Sequence, residues 1–379
     1  MLLDLTSDQE FFRETTAKFL DEHVPAGELR LLRNNPAGFD EKYWRRGADL
    51  GWTSLLVAEE HGGGTISDRG PVDLGVIAYE FGRHAAPGPL VPTNVVAAAL
   101  SAAGNDAHVA VIDDLLSGAS TASWCFGEAR PNDRFGSVAL DVRVDGTQIV
   151  LNGVKRPVES AGHAGHLLVT GRTGKGLTQV LVPADAAGMS IAPMRTVDLT
   201  RRFDVVTFDD VRVPTDALVG EIGRADDQVE RQLQVALVML NAEAVGAMQT
   251  AFDMAVEWAF DRYSFGRPLA SYQALKHRFA DMKTWLEASY AISEVAADGV
   301  ASGSPDAAEL ASVAKAFIGE YGNELMHECV QMHGGIGVTF EHDLHLFLRR
   351  QTVNRALYGT PAEHRQRIAD LVEQREAAA

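Results

Sequence analysis

Two short segments in the last third of the chain carry residue types that could hold an anionic cofactor. DRYSFGRPLASYQ (261–273) sets Arg262 three residues before Phe265-Gly266, with Ser264 between them and Gln273 eight residues beyond the Phe. QMHGGIG (331–337) sets Gln331 ahead of Gly334, Gly335 and Gly337. A guanidinium presents a planar fork of donors that suits a pyrophosphate. Closely spaced glycines let backbone N–H groups approach a nucleotide with no Cβ in the way. Each segment alone reads equally well as a helix-ending turn, so the chemistry depends on the two meeting in space.

Other candidate signatures fall away on spacing. GRTGKG (171–176) has the wrong glycine interval for a phosphate loop and no Ser or Thr after Lys175, which leaves a hairpin turn. His342 and His345 form an H-x-x-H without an accompanying carboxylate or cysteine set, and read as surface histidines rather than metal ligands. No G-x-S-x-G elbow is present. Cys125 and Cys329 are the two cysteines and form no C-x-x-C, as expected of reduced, partly buried thiols.

The chain has 379 residues and a formal charge of −18. That length calls for two or three domains. The negative balance excludes nucleic acid, which needs a basic footprint to displace counterions, and argues against an anionic membrane surface. Anionic small molecules stay possible, because a local Arg or a helix N-terminus suffices to bind them. MLLDLTSDQEFF at the start lacks the basic n-region and apolar run of a signal peptide. No stretch reads as the roughly 20 apolar residues that span a bilayer. The expected location is cytoplasmic.

The elements that must position these residues follow from periodicity. Residues 1–118 read as helices: TSDQEFFRETTAKFL carries an N-cap Thr6 or Ser7, and PVDLGVIAYEFGRHAA follows HGGG (61–64). Residues 119–222 turn to short alternating runs separated by DG, NG and GKG, the pattern of antiparallel strands. Residues 223–379 return to helical spacing, with a run from Asp226 to Asp261 too long for a lone globular helix. SGSPD (302–306) stops one helix and starts the next, and shorter helices are expected after 334–337 and from TPAEH (360–364).

In this order, the segments resemble the acyl-CoA dehydrogenases, and the resemblance runs the whole chain. ADLGWTSLLVAEEHGGG resembles the family's N-terminal helix-turn, and RRFDVVTFDDVRVPTDALVG its exit from the β-domain. AEAVGAMQTAFDMAVEWAFDRYSFGRPLASYQALKHRFADM resembles its first two bundle helices, and QMHGGIGVTFEHDLHLFLRR with ALYGT its C-terminal end. The resemblance implies an α+β fold: an N-terminal helical domain, a central antiparallel β-domain and a C-terminal four-helix bundle. It implies FAD and the α,β-dehydrogenation of an acyl-CoA thioester, in which a carboxylate takes the α-proton while the β-hydrogen leaves as hydride to flavin N5. A backbone N–H and a ribityl hydroxyl polarise the thioester carbonyl. Fatty-acid or steroid side-chain β-oxidation, a tetrameric assembly and an electron-transfer flavoprotein as acceptor come with the family.

In that family a partner subunit completes the FAD site. Its contacts match Arg262, Ser264, Phe265, Gln273, Gln331 and Gly335 here, all intact, and Gly334 and Thr360 join the cofactor set. The flavin ring, by contrast, is held by a Thr-Glu-Pro-x-x-Gly-Ser-Asp loop and a Trp-Ile-Thr strand. CFGEARPND puts Gly127 at the first Thr and lacks the Gly-Ser pair; NGVKRPVES puts Pro157 at the Trp and Glu159 at the last Thr. Packing surface and hydroxyl donors are lost there. The usual base, the Glu of Tyr-Glu-Gly-Thr, matches Tyr358, leaving its backbone N–H for the thioester, and the alternative Glu position matches Ala236. Glu243, seven residues after Ala236 and about 10 Å further along the same helix face, is the remaining carboxylate candidate. Its alternative role is a hydrogen bond to a neighbouring helix or an arginine. The expected arrangement is one half of an α2β2 complex with a related acyl-CoA dehydrogenase subunit. A non-catalytic partner that keeps only the fold is the alternative.

Overall fold

A capping box opens the first helix. Thr6 Oγ1 accepts from the Gln9 N–H at 3.3 Å, and the Gln9 side chain accepts from the Thr6 N–H at 3.1 Å, the start foreshadowed by TSDQ. The computed structural model describes residues 5–128 and 138–378. Its N-terminal block comprises α1 (Ser7–His23), α2 (Ala26–Leu31), α3 (Glu41–Asp49), α4 (Gly70–Arg83), α5 (Leu90–Ala103) and α6 (Val109–Leu116). Asp40 caps α3 through its Oδ1. Trp52 anchors this block, edge-on to Phe19 at 5.4 Å and to Phe81 at 4.8 Å.

The strands are β1 (Ala122–Cys125), β2 (Asp141–Asp145), β3 (Gln148–Glu159), β4 (His166–Thr173), β5 (Gly176–Pro183), β6 (Met189–Pro193), β7 (Phe203–Pro214) and β8 (Leu218–Val219). They form one sheet in the order β6-β7-β3-β2-β4-β5-β8, with β1 also beside β4. GRTGKG makes the β4–β5 hairpin, Thr173 facing Gly176. The sheet is antiparallel except that β1 runs parallel to β4 over four pairs and β2 meets β4 at one parallel pair. This departs from the wholly antiparallel domain expected. β1 arrives from the helices and its partner lies beyond the β2–β3 hairpin, so no tight turn folds the chain back. All four of its residues are buried, as suits a strand covered on both faces.

The C-terminal block holds α7 (Asp226–Asp261), α8 (Gln273–Ser302), α9 (Ala307–His333), α10 (Leu344–Ala356) and α11 (Pro361–Ala378), with a small hairpin of β9 (Tyr263–Ser264) and β10 (Arg267–Pro268) after α7. Contrary to the sequence expectation, α7 is long and apolar enough to cross a membrane by length and composition, with a mean hydropathy of 1.3 over its most apolar window. In the fold 83% of that window is buried, because α7 is the central rod against which α4, α8 and α9 pack. Two glycines allow the closest crossing: a Cβ on Gly82 would lie 1.9 Å from the Glu243 carbonyl oxygen, and one on Gly246 would lie 2.0 Å from that of Tyr79. This pins the backbone at Glu243 against α4. Both cysteines are buried free thiols, and burial pushes Cys125 up to about 12. His345 is buried rather than at the surface, stacked on Phe340 at 4.7 Å.

Candidate functional site

The two segments singled out by residue type converge at the C-terminal end of α7. A cavity of about 540 Å³ lies between them, walled by Trp258, Arg262 and Ser264 on one side and by Gln331, His333, Gly334 and Gly335 on the other. α7 ends at Arg262, whose N–H still donates to the Trp258 carbonyl while its own backbone turns extended. Phe265 and Gly266, at φ +50° and +79°, make the tight turn between β9 and β10. The hairpin is tied down by the Tyr272 hydroxyl, which donates to the Ser264 carbonyl at 2.7 Å, and by Arg267 lying 3.9 Å over the Tyr272 ring. The Arg262 guanidinium sits 5.9 Å from the Trp258 ring centre. No described carboxylate pairs with it, and no Asp or Glu lines the cavity.

On the opposite wall α9 closes on Gly334, at φ +62° and ψ −138°, a conformation essentially reserved for glycine. A Cβ built on Gly334 or Gly335 meets nothing within 4 Å; the space beside their backbone is open to a ligand. The other predicted cofactor residues stand apart from this wall. Phe265 projects from the hairpin tip at 97% exposure. Gln273 is exposed at the start of α8. Thr360 is engaged with Glu363, its N–H and hydroxyl both donating to Glu363 Oε2 at 2.7 Å.

The second region is the place matching the family's flavin ring and base, and it is filled by a buried ionic network. Glu159, at the end of β3, grips Arg201 in both oxygens, at 2.7 Å and 2.6 Å. Arg201 Nη1 reaches Glu243 Oε2 at 3.2 Å and Asn354 Oδ1 at 2.7 Å. Asn354 Nδ2 donates to the same Glu243 oxygen at 3.0 Å. Arg350 donates to Glu243 Oε1 at 2.5 Å, to Asp198 at 2.7 Å and to the Thr200 hydroxyl at 2.7 Å. Glu159, Asp198, Arg201, Glu243, Arg350 and Asn354 are all buried. Burial pushes the Glu159 carboxyl upward against the pull of Arg201. Burial also opposes ionisation of Asp198, but Arg350 and two backbone N–H groups more than offset it and hold the carboxyl at about 2.

Tyr358 completes the plug. It lies at φ +55°, buried, with its ring 5.1 Å from Trp124, which itself stacks on Phe126 at 4.9 Å. Burial pushes its phenol well above the ordinary value. Between α4, α5 and α7 a void of about 10 Å³ is left beside Arg201, Met239 and Glu243, about the volume of one water. Of the degenerate loop, Gly127 is described, and Glu128 pairs with the buried Lys155 at 2.7 Å; CFGEARPND from Ala129 onward lies outside the described residues.

The two regions answer differently to FAD. The cavity at Arg262 fits the nucleotide half, since it has an unpaired cation, open glycine backbone and no carboxylate. The region around Glu159 and Tyr358 does not fit the ring, because packed side chains occupy it. Arg201 and Arg350, which build the plug, and Trp258 and His333, which wall the cavity, carried no signal in the sequence beyond their residue types.

Residues 6–117 match the acyl-CoA dehydrogenase N-terminal domain, and residues 227–372 match the acyl-CoA dehydrogenase C-terminal domain. The acyl-CoA dehydrogenase IpdE2 of Mycobacterium tuberculosis is 29% identical over 369 residues, covering 96% of this chain and 97% of that protein. The protein of the same name from Mycolicibacterium smegmatis is 28% identical over 373 residues, 96% of this chain and 98% of that one. The structure of the Tcur3481-Tcur3483 steroid ACAD superposes with a TM-score of 0.88 at 28% identity, covering 98% of this chain and 99% of that one. Butyryl-CoA dehydrogenase from Megasphaera elsdenii shares the fold, with a TM-score of 0.88 at 23% identity over 98% of this chain and 100% of that one. With both terminal domains matched and relatives aligned over nearly its whole length, the chain belongs to the acyl-CoA dehydrogenase family.

Proposed function

We propose that this chain is a subunit of an FAD-dependent acyl-CoA dehydrogenase that lends its nucleotide cradle to a neighbouring chain's active site while its own ring site stays closed. The observation that carries the reading is the buried ion network of Glu159, Arg201, Glu243, Arg350 and Asp198 where ring and base would otherwise meet. Glu243 spends both oxygens on two guanidiniums and so serves as a structural carboxylate, not as the acceptor of an α-proton. Bound FAD supplies the hydride acceptor of the family's reaction. This chain's part is binding and orientation: Arg262 offers charge-assisted donors to the pyrophosphate, and Gly334 and Gly335 let backbone come close to the nucleotide. Exposed apolar side chains surround the cradle, among them Tyr263 at 63%, Phe265 at 97% and Val338 at 75%. A surface of that kind beside a binding cavity suits a subunit interface.

The partner is a related acyl-CoA dehydrogenase chain that keeps a free carboxylate at the position of Tyr358, in a tetramer, with an electron-transfer flavoprotein as acceptor. The two chain names of the Tcur3481-Tcur3483 steroid ACAD support a heteromeric assembly and a steroid side-chain acyl-CoA. Because the void beside Met239 holds no acyl chain, substrate choice rests with the partner. Acyl-CoA-dependent dye reduction tests this. The chain expressed alone should show no turnover, and co-expression with its partner should restore it. Turnover by a homo-oligomer of this chain would overturn the proposal. A colourless complex that gains no flavin spectrum with added FAD would favour the purely structural subunit.

A further inference from the structure

His333 sits on the cavity wall in an unusual chemical state. It is the last residue of α9, 4% exposed, and its Nδ1 lies 2.7 Å from the Cys329 carbonyl oxygen. That contact places the proton of the neutral ring on Nδ1, donating to the carbonyl, and leaves Nε2 as a bare acceptor. Nε2 is buried and has no hydrogen-bond partner among the described residues. A buried polar atom left in that condition is costly, and natural structures keep few of them.

The surroundings favour a proton there once an anion arrives. From α7, Trp258 stacks on the His333 ring at 5.5 Å and Arg262 follows one turn later. From the segment before α10, His342 meets the ring edge-on at 4.5 Å; its own Nδ1 accepts from the Leu344 N–H at 3.2 Å. From α9 itself comes Cys329, whose thiol burial keeps protonated. The titratable and charged neighbours are therefore Arg262, His342 and the Cys329 thiol, with no carboxylate in the wall. Burial lowers the basicity of His333, the Cys329 carbonyl partly restores it, and a charged His342 lowers it further. Nothing present compensates a second positive charge; a pyrophosphate in the cavity would.

Resting on the nucleotide-cradle reading above, we infer that His333 is the proton-linked member of the cradle: entry of a pyrophosphate-bearing nucleotide draws one proton from solvent onto His333 Nε2, and the charged ring beneath the wall joins Arg262 in holding the anion. Linkage fixes the sign. A group whose basicity rises on binding takes up a proton, so affinity is greatest at low pH and declines as pH rises through the titration of the bound form, by at most tenfold per unit.

The test uses the full chain and ADP-ribose, whose pyrophosphate diester does not itself titrate near neutral pH. Calorimetric titration between pH 5.5 and 7.5, in buffers of different ionisation enthalpy, should show proton uptake and a loss of affinity on the order of three- to tenfold across that range. His333→Phe, which keeps a ring on Trp258, should abolish the uptake, and His342→Asn should keep it. Binding independent of pH, uptake surviving in His333→Phe, or uptake lost in His342→Asn would each overturn the inference. Should His333→Phe fail to fold, the imidazole resonances of the wild-type chain decide: the His333 midpoint must move up on adding ADP-ribose, and an unmoved midpoint contradicts the proposal. No binding of ADP-ribose at any pH would be a different failure, that of the cradle itself.

Discussion

At Glu243 the two carboxylate oxygens divide between Arg350 and Arg201, at 2.5 Å and 3.2 Å. Replacing that carboxylate by an amide turns an NH₂ group toward guanidinium donors. Glu243→Gln should therefore lower the unfolding free energy by about 1–3 kcal/mol, the cost of a buried unsatisfied group, while flavin in the assembled complex still turns over. A fall in turnover with the urea midpoint unchanged would make it a catalytic base after all. Arg201→Met is harsher: it leaves Glu159 and Glu243 buried without their shared cation, at a cost of about 3–5 kcal/mol. Arg262→Ala acts on the other site. It removes charge-assisted contacts of about 1.5–3 kcal/mol, so FAD should wash out of the complex roughly ten- to hundredfold more readily, with the unfolding midpoint unmoved; full flavin occupancy after dialysis would refute the assignment. Glu243 was legible in sequence as an acid in an apolar run, but not its partners. They lie 42 and 107 residues away, and no local pattern announces a pairing over such distances.

The elements were more open to reading than their contacts. Capping residues, DG and GKG turns and the αL stop at Gly303 lie within a few residues of what they control, so the helices and hairpins could be read directly. The parallel pairing of β1 with β4 could not, since it depends on where the intervening hairpin goes. The same division holds at the cradle: DRYSFG signalled a turn, and its meeting with QMHGG is a property of how α7 and α9 end side by side. The β9–β10 hairpin adds little to the subunit's own packing, because Phe265 at its tip is 97% exposed. Phe265→Ser should change subunit stability by no more than about 0.5 kcal/mol yet weaken assembly, read as a shift toward smaller species in sedimentation velocity. A change in subunit unfolding with assembly intact would place the Phe inside the fold instead.

For the molecule as a whole, the network joins the β-domain, through Glu159, Asp198 and Arg201, to α7 and α10, through Glu243 and Arg350. Its acid sensitivity follows from Asp198, held at about 2 against an ordinary 3.8. A depressed carboxyl contributes stability above its unfolded value and loses it as pH falls through the folded one, so this contribution should disappear between pH 4 and 2. A difference of roughly two units corresponds to something on the order of 2–3 kcal/mol. Chemical denaturation at pH 4.5, 3.5 and 2.5 should follow that decline, and Asp198→Asn should flatten it.

The central claim is a division of labour: a competent nucleotide cradle beside a closed ring site. Native mass spectrometry of the co-expressed complex counts its flavins directly. The account predicts one FAD for every two chains, all of it lost when Arg262 of this chain is replaced by Ala. One FAD on every chain, or a fully flavinated homo-oligomer of this chain alone, would contradict it.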